Sequence, residues 1–460
     1  MLLLPFSLSL LLFLFLSHFP HLSAAQTATT NRHENEYLKL QLVHISHSTS
    51  PSQTLLLDTL RVSSLHLHLK TPLVSGASVG AGQYFAGISI GTPPQNLLLV
   101  ADTGSDLTWV KCSACRHDCS AHHPPGSAFL ARHSSSFSNV PCSDPHCRLV
   151  PHPPCPGCQA RHSHTHSSCK YEYSYADGST TSGLFSLETV SLNSSSGREI
   201  QIHGLRFGCG FHLSGPSVTP LGFEGATGVM GLGRGPISFT TQLGRKFGNK
   251  FSYCLMDYTL SPPPTSYLVI GGGIHDVVSG SDTVQSTPLI RSTLSPTFYY
   301  VGIKSVTIDG EKLPISSAVW ALDDLGNGGT IIDTGTTLSF VPAAAYKAIV
   351  WAMRKRVKLP RVADLTQAGF DLCYNVSRLD EDKLGFPRMS LELVGGSVFD
   401  PPARNYFIDT AEDVKCLALQ AVNSPSGFAV IGNLMQQGFL FEFDNDKSRL
   451  LFSKGCHHHH

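Results

Sequence analysis

Two aspartates with nearly identical neighbours could carry acid/base chemistry in this chain. Asp102 sits in Ala101-Asp102-Thr103-Gly104-Ser105, and Asp333 in Ile332-Asp333-Thr334-Gly335-Thr336, 231 residues further on. A short apolar run leads into each, residues 97–101 in the first and 331–332 in the second. Each copy therefore reads as a buried strand ending in a tight turn that carries a carboxylate. Gly permits the turn, and Thr or Ser offers the carboxylate a hydroxyl. If both loops face one cleft, two carboxylates at short range cannot both ionise cheaply. They would share a proton, one acting as general base on a water and the other as acid.

The surrounding sequence supplies elements that could position such a pair. Tyr84 to Ile90 has the period of a strand, and Gly91-Thr92-Pro93-Pro94 is a turn before the strand that delivers Asp102. Tyr171 to Tyr175 alternates, then gives way to Ala176-Asp177-Gly178 and small hydroxylated residues, which predicts a hairpin. A glycine-containing apolar segment follows each aspartate, Thr227 to Gly233 and Ala429-Val430-Ile431-Gly432-Asn433, so the internal repeat extends beyond the aspartates themselves. The first of these lacks the basic residue of a P-loop and the βαβ setting of a dinucleotide site. Helix candidates are few: 236–243, and 343–357 with Tyr346, Ile349, Val350 and Met353 at helical spacing.

Composition agrees with many short strands. The chain has 460 residues, 33 basic and 33 acidic, so it carries no net charge, which argues against a nucleic-acid or anionic-membrane partner. Charged residues make up 14%, and turn-forming residues abound, as in an all-β protein. The length suits two lobes. Residues 1–16 are nearly all Leu and Phe, and Ser23-Ala24-Ala25 follows, so 1–25 reads as a signal peptide; an uncleaved anchor is the alternative, because a basic start is missing. The thirteen cysteines, eight of them between Cys112 and Cys169, imply disulfides in an oxidising compartment. A zinc reading of Cys112, Cys115, Cys155 and Cys158 with His162, His164 and His166 is the rival there. Asp323 to Asn327 resembles a calcium loop but lacks its twelfth-position Glu, so a turn is expected.

Taken together, the two Asp-Thr-Gly loops, the Tyr175 hairpin and the Gly-containing segments resemble the pepsin-like aspartic proteases, and more closely their cysteine-rich, nepenthesin-like plant branch. The resemblance implies an all-β, bilobal pepsin-like fold with a cysteine-rich insertion at about 110–170. The expected organisation is a signal peptide (1–25), a propeptide (26–78), an N-terminal catalytic lobe (79–290), a C-terminal catalytic lobe (291–456) and a histidine tail, native or a tag (457–460). A helix around Leu56, Leu57, Leu60 and Leu67 would let the propeptide cover the cleft, and residues 280–296 are expected to link the lobes.

By the same resemblance, Asp102 and Asp333 are catalytic, and Tyr175 is the flap tyrosine, partnered by Trp109. Gly104, Gly335, Asp177 and Gly178 line the substrate. Thr103 and Thr334 knit the loops together, while Ser105 and Thr336 hold the outer carboxylate oxygens. Ala176 departs from the usual Gly after the flap tyrosine. Cys158 is the cysteine extra to the family pattern. Asn193 and Asn375 open glycosylation sequons. The implied protein is a secreted monomer acting in acid on polypeptides, with vacuole or plastid as other destinations. It needs no cofactor or metal, and its propeptide is its own inhibitor. Two other readings are a catalytically silent relative that binds or inhibits cell-wall-degrading enzymes, and a glycoside hydrolase, which also pairs carboxylates.

Overall fold

Alternation of large apolar with small or polar residues recurs along the chain, and strands form where it does. The computed structural model describes residues 37–44, 83–114, 126–151, 167–175, 179–215, 218, 226–257, 264–274, 283–362, 369–377, 379–422, 424 and 427–455. The strand Tyr84–Ile90 buries Tyr84, Phe85, Ala86, Ile88 and Ile90 and leaves Gly87 exposed. Among the described residues the longest helix is Ala343–Arg356, which buries Ala345, Tyr346, Ile349, Ala352 and Met353. The other predicted helix runs Phe239–Phe247. It starts later than the apolar pattern suggests because Ser238 caps it, its hydroxyl accepting the Thr241 N–H at 3.3 Å.

Two sheets position the aspartates. A 15-stranded sheet runs, in order, through Gln285–Pro288, Arg449–Lys454, Phe439–Asp444, Lys250–Cys254, Ser266–Ile270, Leu38–His44, Tyr84–Ile90 and Gln95–Asp102, then on through Gly228–Gly231, Trp109–Ser113, Glu199–Ser214 and Thr180–Asn193. A five-stranded sheet holds Tyr300–Val301, Thr330–Ile332, Ala429–Ile431, Ser339–Pro342 and Leu419–Val422. Aromatic rings fill the core where chain from both halves meets: Phe251 stacks on Phe443 at 4.8 Å, and Tyr299 packs on Phe443 at 4.4 Å.

The structure adds two elements to what the sequence suggested. Part of the N-terminal segment, Leu38–His44, is a strand in the middle of the long sheet, antiparallel to Ser266–Ile270 on one side and to Tyr84–Ile90 on the other. Leu38, Leu40 and Leu42 are its buried face. Within the segment expected to link the halves, Gln285–Pro288 pairs with Arg449–Lys454. The helix anticipated near Leu56 to Leu67 and the signal-like residues 1–25 lie outside the described residues.

All eight described cysteines are in disulfides. Cys112–Cys209 ties neighbouring strands across 97 residues of chain, Cys147–Cys169 closes part of the insertion, and Cys373–Cys416 staples two paired strands. A crosslink closing a loop of nearly a hundred residues contributes about 4 to 5 kcal/mol by restricting the unfolded chain. Because the Cys112 sulfur is committed to Cys209, it is not a zinc ligand. The remaining cysteines and histidines of that reading, Cys115, Cys155, Cys158, His162, His164 and His166, fall outside the described residues, as do Cys119 and Cys456. Asp323 turns the chain, accepting the Leu325 and Asn327 N–H groups at 2.9 and 2.7 Å.

Candidate active site

Each aspartate is delivered by the same local arrangement of strands. Gln95–Asp102 lies parallel to Gly228–Gly231, with Gly231 level with Asp102, and Gly228–Gly231 is antiparallel to Trp109–Ser113, which leaves the loop. In the second copy Thr330–Ile332 lies parallel to Ala429–Ile431, which is antiparallel to Ser339–Pro342. The central strand thus packs between the chain entering and the chain leaving each loop. This close approach explains the paired glycines: a Cβ on Gly231 would stand 2.5 Å from the Asp106 backbone, and one on Gly432 would stand 2.1 Å from the Leu338 carbonyl oxygen.

Both carboxylates are fully buried and held alike. Asp102 accepts the Gly104 N–H at 2.9 Å on one oxygen and the Ser105 hydroxyl at 2.7 Å on the other. Asp333 accepts the Gly335 N–H at 3.0 Å and the Thr336 hydroxyl at 2.6 Å. Neither glycine adopts a positive φ, so each contributes its N–H rather than an unusual backbone shape.

The threonines between them exchange hydrogen bonds across the two loops. The Thr103 hydroxyl accepts the Thr334 N–H at 3.0 Å and donates to the Ile332 carbonyl at 3.1 Å. The Thr334 hydroxyl accepts the Thr103 N–H at 3.1 Å and donates to the Ala101 carbonyl at 2.8 Å. Four buried bonds between residues so distant in sequence fix the loops against each other, and with them the two carboxyl groups.

On the first half's side, Lys170–Ser174 pairs with the start of Thr180–Asn193, and the Tyr175 N–H closes the hairpin on the Ser179 carbonyl at 2.7 Å. The Tyr175 ring packs against Trp109, centroids 6.3 Å apart, and against Tyr173 at 5.5 Å. Asp177 and Gly178 fall outside the described residues. Asn193 and Asn375 are exposed at strand ends, where a glycan would have room.

Sequence reasoning missed a buried polar layer behind each loop. Behind the second, the Gln436 amide donates to the Ile431 carbonyl at 2.8 Å and to the Asp333 carbonyl at 3.3 Å, while its oxygen accepts the Tyr253 hydroxyl. Asn433 donates to the Thr334 carbonyl at 3.0 Å. Burial, and secondarily the nearby Asp333 charge, pushes the Tyr253 hydroxyl well above its ordinary value, so it stays a donor. Behind the first loop lies Asp106, whose carboxyl accepts the Gly235 N–H at 2.8 Å and the Thr297 hydroxyl at 2.6 Å. Polar residues just after an apolar segment, such as Asn433, Gln436 and Gln437, are the one local signal that could have found the layer.

Comparison with known proteins places this geometry in context. Residues 84–272 match the family model described as xylanase inhibitor N-terminal, and residues 298–454 match the one described as xylanase inhibitor C-terminal. The chain is 36% identical over 386 residues to aspartyl protease family protein 2 of Arabidopsis thaliana, covering 83% of this chain and 73% of that protein. It is 33% identical over 445 residues to aspartic proteinase nepenthesin-1 of Nepenthes gracilis, covering 94% of each. Among solved structures, edgp superposes with a TM-score of 0.66 at 22% identity, covering 92% of this chain and 95% of that one. Basic 7S globulin from soybean superposes at 0.64 with 20% identity, covering 91% and 95%. At these identities the structural likeness shows the pepsin-like fold alone.

Proposed function

Because the chain belongs to the nepenthesin-like plant branch of the pepsin-like aspartic proteases, we propose that it is an endopeptidase working through Asp102 and Asp333. The observation that carries this reading is the matched pair of buried carboxylates, each bound by one glycine N–H and one hydroxyl and locked together by the threonine exchange. In the reaction the pair shares one proton and holds a water. One carboxylate takes a proton from that water as it attacks the peptide carbonyl, and the other gives its proton to the carbonyl oxygen. The outer oxygens stay bound to Ser105 and Thr336, so the inner ones face the water. Raising the pH removes the shared proton, and activity therefore lies in acid.

Tyr175, beside Trp109, covers an extended polypeptide through its hairpin. Residues 26–78 act as a propeptide, and cleavage after the signal sequence sends a monomeric product to the secretory route, the apoplast first and the vacuole or plastid otherwise. Among the described residues no helix is long and apolar enough to cross a membrane.

The descriptions of the matching family models favour a second reading, inhibition of a xylan-degrading enzyme by a silent relative. One experiment separates the two. The purified chain is incubated with a denatured protein at acid pH, with and without a statine-type inhibitor, and in parallel with a xylanase and its substrate. Inhibitor-sensitive peptide release is expected; intact substrate together with a slowed xylanase would overturn the endopeptidase.

A further inference from the structure

Asp106 takes no part in the reaction described above, yet the chain is shaped around its carboxyl group. The residue is 7% exposed. A Cβ on Gly233 would stand 2.4 Å from one carboxyl oxygen, and a Cβ on Gly235 would stand 1.9 Å from the other. Gly233-Arg234-Gly235 is therefore a cradle that any side chain at either glycine would fill.

The group that binds the second oxygen opens a path to the other loop. Thr297, which donates its hydroxyl to Asp106, also accepts the Arg234 N–H on its carbonyl at 3.0 Å. Two residues on, the Tyr299 hydroxyl donates to the Leu232 carbonyl at 2.8 Å, and the Tyr299 carbonyl accepts the Ile332 N–H at 3.1 Å, directly before Asp333. Asp106 thus anchors one end of a three-residue strap, 297–299, whose far end fixes the approach to the second aspartate.

The charged groups around it come from three segments. Asp102 faces it from its own loop, and the charge there raises the Asp106 value. Arg234, on the cradle, turns its guanidinium to the Ile290 carbonyl at 3.0 Å and lies 5.8 Å from the Tyr299 ring centre. Tyr299, on the strap, is pushed up by burial and stays neutral through the acid and neutral range. Burial, opposed by the Thr297 and Gly235 hydrogen bonds, moves Asp106 itself up to about 6. Repulsion between like charges is mutual, so a charge on Asp106 disfavours a second negative charge in the carboxylate pair beside it.

We propose that Asp106 is a positioning residue for the Asp102 and Asp333 pair, tying the first loop to the strap that carries the second and setting, by its charge, the upper pH at which the pair keeps its shared proton. The proposal rests on the endopeptidase reading. In acid Asp106 is neutral and acts as a tie; as the pH rises it loses its proton to solvent, and its charge delays the loss of the proton on the pair.

The test is the pH profile of kcat/KM on a peptide substrate. Asp106→Asn keeps an acceptor for Gly235 and removes the charge. It should hold kcat/KM at the acid optimum within about twofold and shift the alkaline limb to lower pH by about half a unit, a roughly threefold loss along that limb. Thr297→Val, which withdraws the hydroxyl that favours the charged form, should move the limb in the same direction by less. Asp106→Ala, which removes the tie as well, should lower activity at every pH. An active parent whose limb stays put in both Asp106→Asn and Thr297→Val overturns this proposal alone, because a purely structural anchor would change stability without moving the limb. A parent that cleaves nothing overturns the endopeptidase reading and this inference with it.

Discussion

Around Asp102 and Asp333 the same donors recur, a glycine N–H and a hydroxyl for each carboxylate, and the threonines between them trade hydrogen bonds in mirrored pairs. Behind the first loop the chain places a buried acid, Asp106, and in the same half it packs the rings of Trp109 and Tyr175 together. Behind the second it places neutral groups, Gln436 and Tyr253. The contrast separates two requirements. In the proposed reaction, equal surroundings at the carboxylates would let either carry the shared proton, while unequal support would let one half respond to pH and substrate and the other stay fixed.

The sharpest way to break the symmetric part is to neutralise either carboxylate. Asp102→Asn and Asp333→Asn should each lower cleavage of a denatured protein by roughly a thousandfold or more, since the proposed reaction needs both carboxyls. Activity surviving in one of them would show that the halves are not equivalent.

The next contrast is electrostatic and is read by stability. Because burial raises the Asp106 value from 3.8 to about 6, the folded chain keeps that proton where the unfolded chain has lost it. Its contribution is therefore present below about 4 and lost as the pH rises through 6, a swing of about 3 kcal/mol. Asp106→Asn should gain stability relative to the parent as thermal melts move from pH 4 to pH 7, while Thr337→Val, at the buried position that follows Asp333 as Asp106 follows Asp102, should show no such trend.

Support of the second loop is tested by Gln436→Ala, which removes the acceptor of the Tyr253 hydroxyl and one donor to each of the Ile431 and Asp333 carbonyls. It should cost about 2 kcal/mol in a denaturant titration, independent of pH. The smallest effect is expected at the Tyr175 hairpin, proposed to cover the substrate: Tyr175→Phe keeps the ring on Trp109 and should lower kcat/KM about tenfold with little change in melting temperature.

Much of this comparison was legible in the sequence because it is local. Asp-Thr-Gly after an apolar run names a strand and a loop within a few residues, and Met230-Gly231 and Ile431-Gly432 mark their partners by composition. The helix Ala343–Arg356 could be read from spacing, and so could the alternating strand before Tyr175. The support layers could not be read. The hydroxyl that binds Asp106 belongs to Thr297, 191 residues away, and the phenol that binds Gln436 belongs to Tyr253, 183 residues away. Such pairs are fixed by how sheets stack, which no short window of sequence records. The strand Leu38–His44 is a different case, since its alternating leucines carried the signal, but its place between two strands distant in sequence is a product of topology.

That strand has a mechanical meaning. In the order of the long sheet it stands between Ser266–Ile270 and Tyr84–Ile90, so the backbone ladder joining the flank with Phe439–Asp444 to the flank with Gln95–Asp102 passes through it. It meets Ser266–Ile270 at five positions, Leu38 to Leu42, and Tyr84–Ile90 at three, Leu42 to His44. Links in series carry the same load, and the shortest yields first. On the Tyr84–Ile90 side the strand is also held at its start, where Leu38 bridges Ser194 and the Tyr37 carbonyl accepts the Ser195 N–H at 2.8 Å, so a force drawing the flanks apart must part both points before the strand rides with Ser266–Ile270.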